Sequence, residues 1–121
     1  MSVNDDIFKF EQLVVYQKSL EYLDFTYETS CKFPSNEIFM LTSQFIRAAQ
    51  SISLNIAEGA GGSSAMFKRY LNISKGSIRE CIVCTTVAYR RKYISDAVQK
   101  TSRIKLTELS KMISGLIKSL N

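Results

Sequence analysis

A chain of 121 residues, 45% hydrophobic and 22% charged, has the size and mixture of one globular domain rather than of a disordered tail. It contains no histidine, which removes the commonest general base, the His-assisted serine and cysteine nucleophiles and every His-ligated metal site. The net charge of +5 is unevenly spread: residues 1–64 hold four Lys or Arg against eight acids, and residues 65–121 hold twelve against three. No stretch alternates with the period of a strand, whereas four stretches repeat with the 3.6-residue period of a helix. The first, about residues 13–31, lines up Leu13, Tyr16, Leu20, Leu23, Tyr27 and Cys31 on its predicted core face and ends before Pro34, which disfavours helix in the residue preceding it. The second, about 36–59, starts after Ser35 as N-cap with Glu37 in its first turn. Its core face is Ile38, Leu41, Phe45, Ala48, Ile52 and Ile56, and it stops at Gly59-Ala60-Gly61-Gly62. The third, about 64–92, is capped by Ser63 or Ser64 and buries Phe67, Leu71, Ser74, Ile78, Cys81, Thr85 and Ala88. The fourth, about 96–120, is capped by Ser95 and buries Leu106, Leu109, Met112, Ile113, Leu116, Ile117 and Leu120. Helices of similar length on short loops are antiparallel neighbours, so the predicted fold is all-α: a single domain, 1–121, forming an up-down-up-down antiparallel four-helix bundle. Residues 1–12 are expected to fray, with Phe8 and Phe10 as candidates to fold back.

Several chemical readings fall away on spacing. Cys81 and Cys84 form a CxxC pair, but no second pair completes four thiolates, and both sit on a helical face where cysteine packs as a small apolar residue. The Gly-rich turn before the third helix lacks the Lys-Ser/Thr pair of a phosphate loop. Arg47, Glu58 and Glu80, the only cluster resembling a catalytic site, fit a structural ion-pair network better. The expected protein is therefore not an enzyme and needs no cofactor or metal. The longest uncharged run, Ala48 to Ala57, is far short of the roughly 20 residues that span a bilayer, and the acidic start lacks an apolar leader, so no membrane contact and a cytoplasmic location are expected.

Two polar patterns remain. Gln44, Arg47, Ser51, Asn55 and Glu58 lie 3, 4, 4 and 3 residues apart on one strip of the second helix, and Ser77 and Glu80 answer from the third. Gly76, level with Arg47, leaves room for a guanidinium to reach Glu80, which predicts a polar network inside the bundle or between subunits. Basic residues form the other pattern: Lys68, Lys75, Arg79 and Arg90 share a stripe of the third helix, Arg91 and Lys92 follow it, and Lys100 and Arg103 stand on the fourth. Cations at helical spacing with small polar groups between them suit a phosphate backbone, so RNA or DNA is the expected ligand. The alternative is a scaffold or accessory subunit that binds only protein. Apolar residues outside the core stripes (Val14, Val15, Tyr22 and Phe25 on the first helix; Phe39 and Ile46 on the second) predict self-association.

Phe33-Pro34, Glu37, Leu41-Thr42, Gln44, Arg47-Ala48, Ser51-Ile52 and Asn55-Ile56-Ala57-Glu58-Gly59 resemble the signature of the four-helix-bundle proteins encoded in bacterial 23S rRNA intervening sequences, also labelled the S23 ribosomal protein family. Leu13, Tyr16, Phe67, Leu71, Gly76-Ser77 and Glu80 continue the likeness, with Tyr16 where the family often has Trp. The resemblance implies a left-handed bundle assembling into a homopentamer. It also implies kinship with the accessory variability determinant proteins of diversity-generating retroelements, basic pentameric barrels that bind nucleic acid and a reverse transcriptase.

Overall fold

The structure, a computed structural model, describes residues 8–120; the expectation for residues 1–7 lies outside the described residues. Four helices follow one another: α1 (Val14–Ser30), α2 (Leu41–Ala60), α3 (Ser64–Arg90) and α4 (Asp96–Ser119). Each packs on the next and α4 closes back on α1, while the backbones of the two diagonal pairs stay apart, which is a four-helix bundle. Side-chain contacts fix the directions. Ser19 meets Ser53 while Tyr22 meets Phe45, Ser77 meets Ser51 while Ser74 meets Ile52, Lys75 meets Ser114 while Arg103 meets Thr86, and Lys18 meets Glu108 while Tyr22 meets Ser102, so every neighbouring pair runs antiparallel.

The helix ends follow local chemistry. Ser63 and Ser95 cap α3 and α4, their hydroxyls accepting from the Met66 and Val98 amides at 3.2 and 3.1 Å. At the end of α3 the Tyr93 amide reaches the Ala88 carbonyl and the Lys92 amide that of Tyr89, a Schellman closure that places Lys92 at φ 67°, where glycine is usual. Residues Lys9–Gln12 form a 3-10 turn rather than a frayed end, and Phe10 lies edge-on to Tyr16 at 5.1 Å. Gly59 is the position where helix packing demands a glycine. A Cβ there would stand 2.7 Å from the Tyr70 Cβ and 3.1 Å from the Phe67 ring.

The core is built from the predicted faces of α2, α3 and α4. Phe45, Ile52, Ile56, Leu71, Leu106 and Ile113 are fully buried, each stabilising the bundle by roughly 1.5–3 kcal/mol through lost apolar contact with water. The first helix departs from expectation. Its buried side chains include Val15, Ser19, Tyr22 and Thr26, so Val15 and Tyr22, expected at a contact between copies, lie in the protomer core instead, while Leu20, Tyr27 and Cys31 are exposed. Hydroxyls are admitted to this core because each is bonded: Ser19 with Ser53 at 2.9 Å, Tyr22 with Ser102 at 2.8 Å, and Thr26 donating to the Tyr22 carbonyl. Among the described residues no buried side-chain polar atom lacks a partner.

The second helix begins at Leu41, not near residue 36. Ser35–Glu37 is a separate 3-10 turn, and Met40 breaks the path at φ −122°, ψ −102°. Glu37 explains the break. Its carboxylate accepts from the Tyr93 hydroxyl at 2.8 Å and faces the Leu41 amide at 3.4 Å, so it serves the start of α2 from outside the helix. In consequence Ile38, expected in the core, is exposed, and Phe39 and Met40 stand out beside it.

Cys81 and Cys84 are buried on α3 whereas Cys31 is exposed. Burial pushes the Cys84 thiol up to about 11 and that of Cys81 higher still. Native protein should therefore show one thiol to an alkylating reagent at neutral pH, and three after denaturation. The unfolded thiols ionise near 9 while the folded ones stay protonated, so their contribution to stability is fully present below pH 9 and is lost as the pH rises from 9 through 11. Denaturant melts across pH 7–11 check this, and an unchanged midpoint at pH 10.5 would contradict it.

Candidate nucleic-acid interface

Two contacts between α3 and α4 set the geometry of the basic face. Lys75 donates to the Ser114 hydroxyl at 2.8 Å, and Arg103 donates to the Thr86 hydroxyl at 3.1 Å. They bring the stripe of α3 and the stripe of α4 onto one side of the bundle. Lys68, Lys75, Arg79, Arg90 and Arg103 share that side, Lys68 and Lys75 half-buried along their stems and the three arginines exposed. Three ion pairs occur among the described residues: Lys18 with Glu21 and with Glu108, and Lys100 with Asp96. None engages the five cations just named. Lys100 is spoken for, since Asp96 at 3.0 Å holds its ammonium and raises its pKa. Arg91 and Lys92 are exposed at the end of α3, where Arg91 turns toward α2 instead. Thr86 and Ser114 are thus the small polar groups that orient the cations. Ser114 escaped the sequence reading, although it stands eleven residues after Arg103, which returns it to the same strip of the helix.

The polar strip of α2 divides. Ser51 and Asn55 are half-buried: the Ser77 hydroxyl donates to Ser51 at 2.9 Å, and the Asn55 amide donates to the Ser51 carbonyl and hydroxyl at 2.8 and 3.0 Å. Gln44, Arg47, Glu58 and Glu80 are exposed. The Ser51–Ser77 contact sets the antiparallel register, which puts Arg47 level with Glu80, yet the two form no ion pair within 4.0 Å. Gly76 does not mediate an approach either, because a Cβ there would meet only the Arg79 guanidinium, at 3.8 Å. Gln44, Arg47, Ser51 and Glu80 instead line an open groove of about 800 Å³ between α2 and α3, with Phe39, Met40, Val87 and Arg91 at one end. Arg47 lies outside the protomer core, so Arg47→Ala should change the stability of the folded protomer by no more than about 0.5 kcal/mol, measured by chemical denaturation.

Among the described residues no helix is long and apolar enough to cross a membrane, and no group of three or more acidic or cysteine side chains is placed to hold a metal ion. Residues 11–115 match the 23S rRNA-intervening sequence protein family, nearly the whole of the bundle. The chain belongs to that family. A solved structure from Bacteroides thetaiotaomicron, described as a protein with unknown function from the S23 ribosomal protein family, superposes with a TM-score of 0.80. It is 27% identical, over 87% of this chain and 99% of that one. Among curated proteins none matches. This structural relative shares the fold described here, and it carries no assigned function.

Proposed function

We propose that this protein is a non-catalytic homo-oligomer, a ring of five as the family resemblance implies, that binds RNA or DNA without sequence preference through the α3–α4 face. The observation that carries the reading is a set of five cations on one side of the bundle, none held by a carboxylate among the described residues. Such a face offers phosphates charge without having to break existing ion pairs, and its ordered Lys75 and Arg103 lose less freedom on binding than free surface cations would. The stripe itself contains no aromatic side chain, so what it offers is a row of charges rather than a platform for bases. Repetition around a ring multiplies the charge of +5 per chain and with it the long-range attraction to a polyanion. Fluorescence anisotropy with unrelated RNA and duplex DNA oligomers at about 50 mM salt tests the reading. Binding to all of them alike supports it. Absence of binding would assign the face to a protein partner instead.

A further inference from the structure

We propose that the ligand of the α3–α4 face is a double helix lying along α3, with one turn of it on each protomer. The proposal rests on the nucleic-acid reading above and names the form of the polyanion. Its basis is where the cations fall along the bundle. Lys75 bonds Ser114 and Arg103 bonds Thr86, and the two contacts lie eleven residues apart on both helices, so they agree on one register for the whole face. In that register the cations form three tiers. Lys68 makes the first, Lys75 and Arg79 the second, and Arg90 with Arg103, level with Thr86, the third. Exposed Lys118 and Lys111 flank the face on the outer side of α4, level with Leu71 and Ile78, beside the first and second tiers.

Between the tiers the face is uncharged. The first gap is four to seven residues long, about 6–10 Å, and the second is seven residues, about 10 Å. Exposed Asn72 lies in the first, and exposed Val83 and Thr107 lie in the second. Lys105, at the level of the second gap, is turned away over the Phe25 ring of α1. No free acid enters the face either. Of the three acids on α3 and α4, Glu80 lines the α2–α3 groove, Glu108 pairs with Lys18 of α1, and Asp96 pairs with Lys100.

A straight line along one side of a double helix meets phosphates only where a strand crosses it. Strand, groove, strand, groove and strand again take one turn of about 34 Å, and in B-form DNA the two grooves are about 6 and 12 Å wide. From Lys68 to Arg90 is twenty-two residues of α3, about 33 Å. The three tiers therefore fall where strands cross, and the two uncharged gaps fall where the grooves lie. A single strand carries a phosphate at every nucleotide with no such interruption, and the gaps offer no ring for its bases to stack on. Lys75 and Arg103 are held by their hydroxyl partners, so the second and third tiers keep their spacing instead of gathering around a flexible chain.

Anisotropy at about 50 mM salt with DNA hairpins of about 6 and about 12 base pairs, and with an unstructured strand of about 24 nucleotides, tests this. The long hairpin and the strand carry about the same number of phosphates, so a preference between them reports geometry rather than the count of charges. The long hairpin should bind at least about 10-fold tighter. The short one spans half a turn and reaches two tiers, so its salt slope should be about −3 against about −4.5 for the long one. Arg90→Ala with Arg103→Ala removes the third tier; both residues are exposed, so the fold should stand, and this variant should bind the two hairpins alike. An RNA hairpin of the longer length shows which double helix is preferred: tighter binding than DNA would keep the double helix and assign it to RNA. No binding of any probe would overturn the nucleic-acid reading itself. A strand bound as tightly as the long hairpin would overturn the double helix. A wild type that binds both hairpins alike, or a double variant that keeps the full preference for the long one, would overturn the register of one turn per protomer.

Discussion

Changing Lys75, Arg79 and Arg90 together to Glu should weaken binding to every RNA or DNA oligomer at least about 100-fold at low salt, and should flatten its salt dependence. Five cations on the α3–α4 face, each neutralising one phosphate, predict a slope of about −4.5 for affinity against salt on logarithmic axes, so a fourfold rise in salt lowers affinity a few hundred-fold. Removing three of the five should bring the slope to about −2, and the three new carboxylates add repulsion. Folding should survive, because Arg79 and Arg90 are exposed and Lys75 loses only its bond to Ser114. Lys100→Glu is the internal control. Its ammonium is already held by Asp96, so its loss should matter far less than that of Arg79. Affinity unchanged in the triple variant would show that phosphates contact another surface. Affinity lost for some sequences but not others would show base readout that this face does not explain.

The bundle was legible because three of its helices bury uniform apolar stripes. On α3, for example, the positions from Leu71 to Ala88 that point inward are apolar or small throughout, and periodicity needs nothing more. The first helix misled because its inward positions include Ser19 and Thr26, which look like surface until Ser53 and the Tyr22 carbonyl satisfy them, and because Val15 and Tyr22, which read as a second apolar face, turn into the core, where Ser102 takes the phenol. The start of α2 misled for a similar reason. Ser35 and Glu37 are good first-turn residues, but a tyrosine 56 positions away holds the Glu37 carboxylate outside the helix. That displacement leaves Ile38, Phe39 and Met40 exposed at the head of the groove. The basic stripes were visible one helix at a time; that α3 and α4 present theirs on the same side follows from Lys75–Ser114 and Arg103–Thr86, which no spacing within one helix reveals. An Arg47–Glu80 approach was expected from level positions on facing strips. Level is not the same as inward, and both side chains open onto the groove instead of the core.

Tyr22→Ala should destabilise the protein by about 4 kcal/mol or more, the largest effect expected of a single substitution here. Tyr22 is among the largest fully buried side chains, wedged between the Phe25 ring at 5.5 Å and the Phe45 ring at 6.4 Å. Its hydroxyl spans the bundle from α1 to Ser102 on α4, and burial holds its pKa above the usual phenol value of 10, so it bonds as a neutral hydroxyl through the physiological range. Truncation removes the ring, leaves a cavity between two aromatic neighbours, and strands the fully buried Ser102 hydroxyl. Against a total stability of roughly 5–15 kcal/mol, that loss leaves the fold marginal. Tyr22→Phe separates the two contributions. It keeps the packing and removes only the hydroxyl, so it should lose about 1–2 kcal/mol, most of it from the unpaired Ser102. Tyr22→Phe with Ser102→Ala removes both polar partners at once and should recover much of that loss, because two apolar groups in place of a buried hydrogen bond are close to neutral. Urea midpoints at unchanged m-value measure all three differences. Equal midpoints for Tyr22→Phe and wild type would mean that Ser102 finds another partner when the phenol is gone, and that this hydrogen bond adds nothing to the contact between α1 and α4.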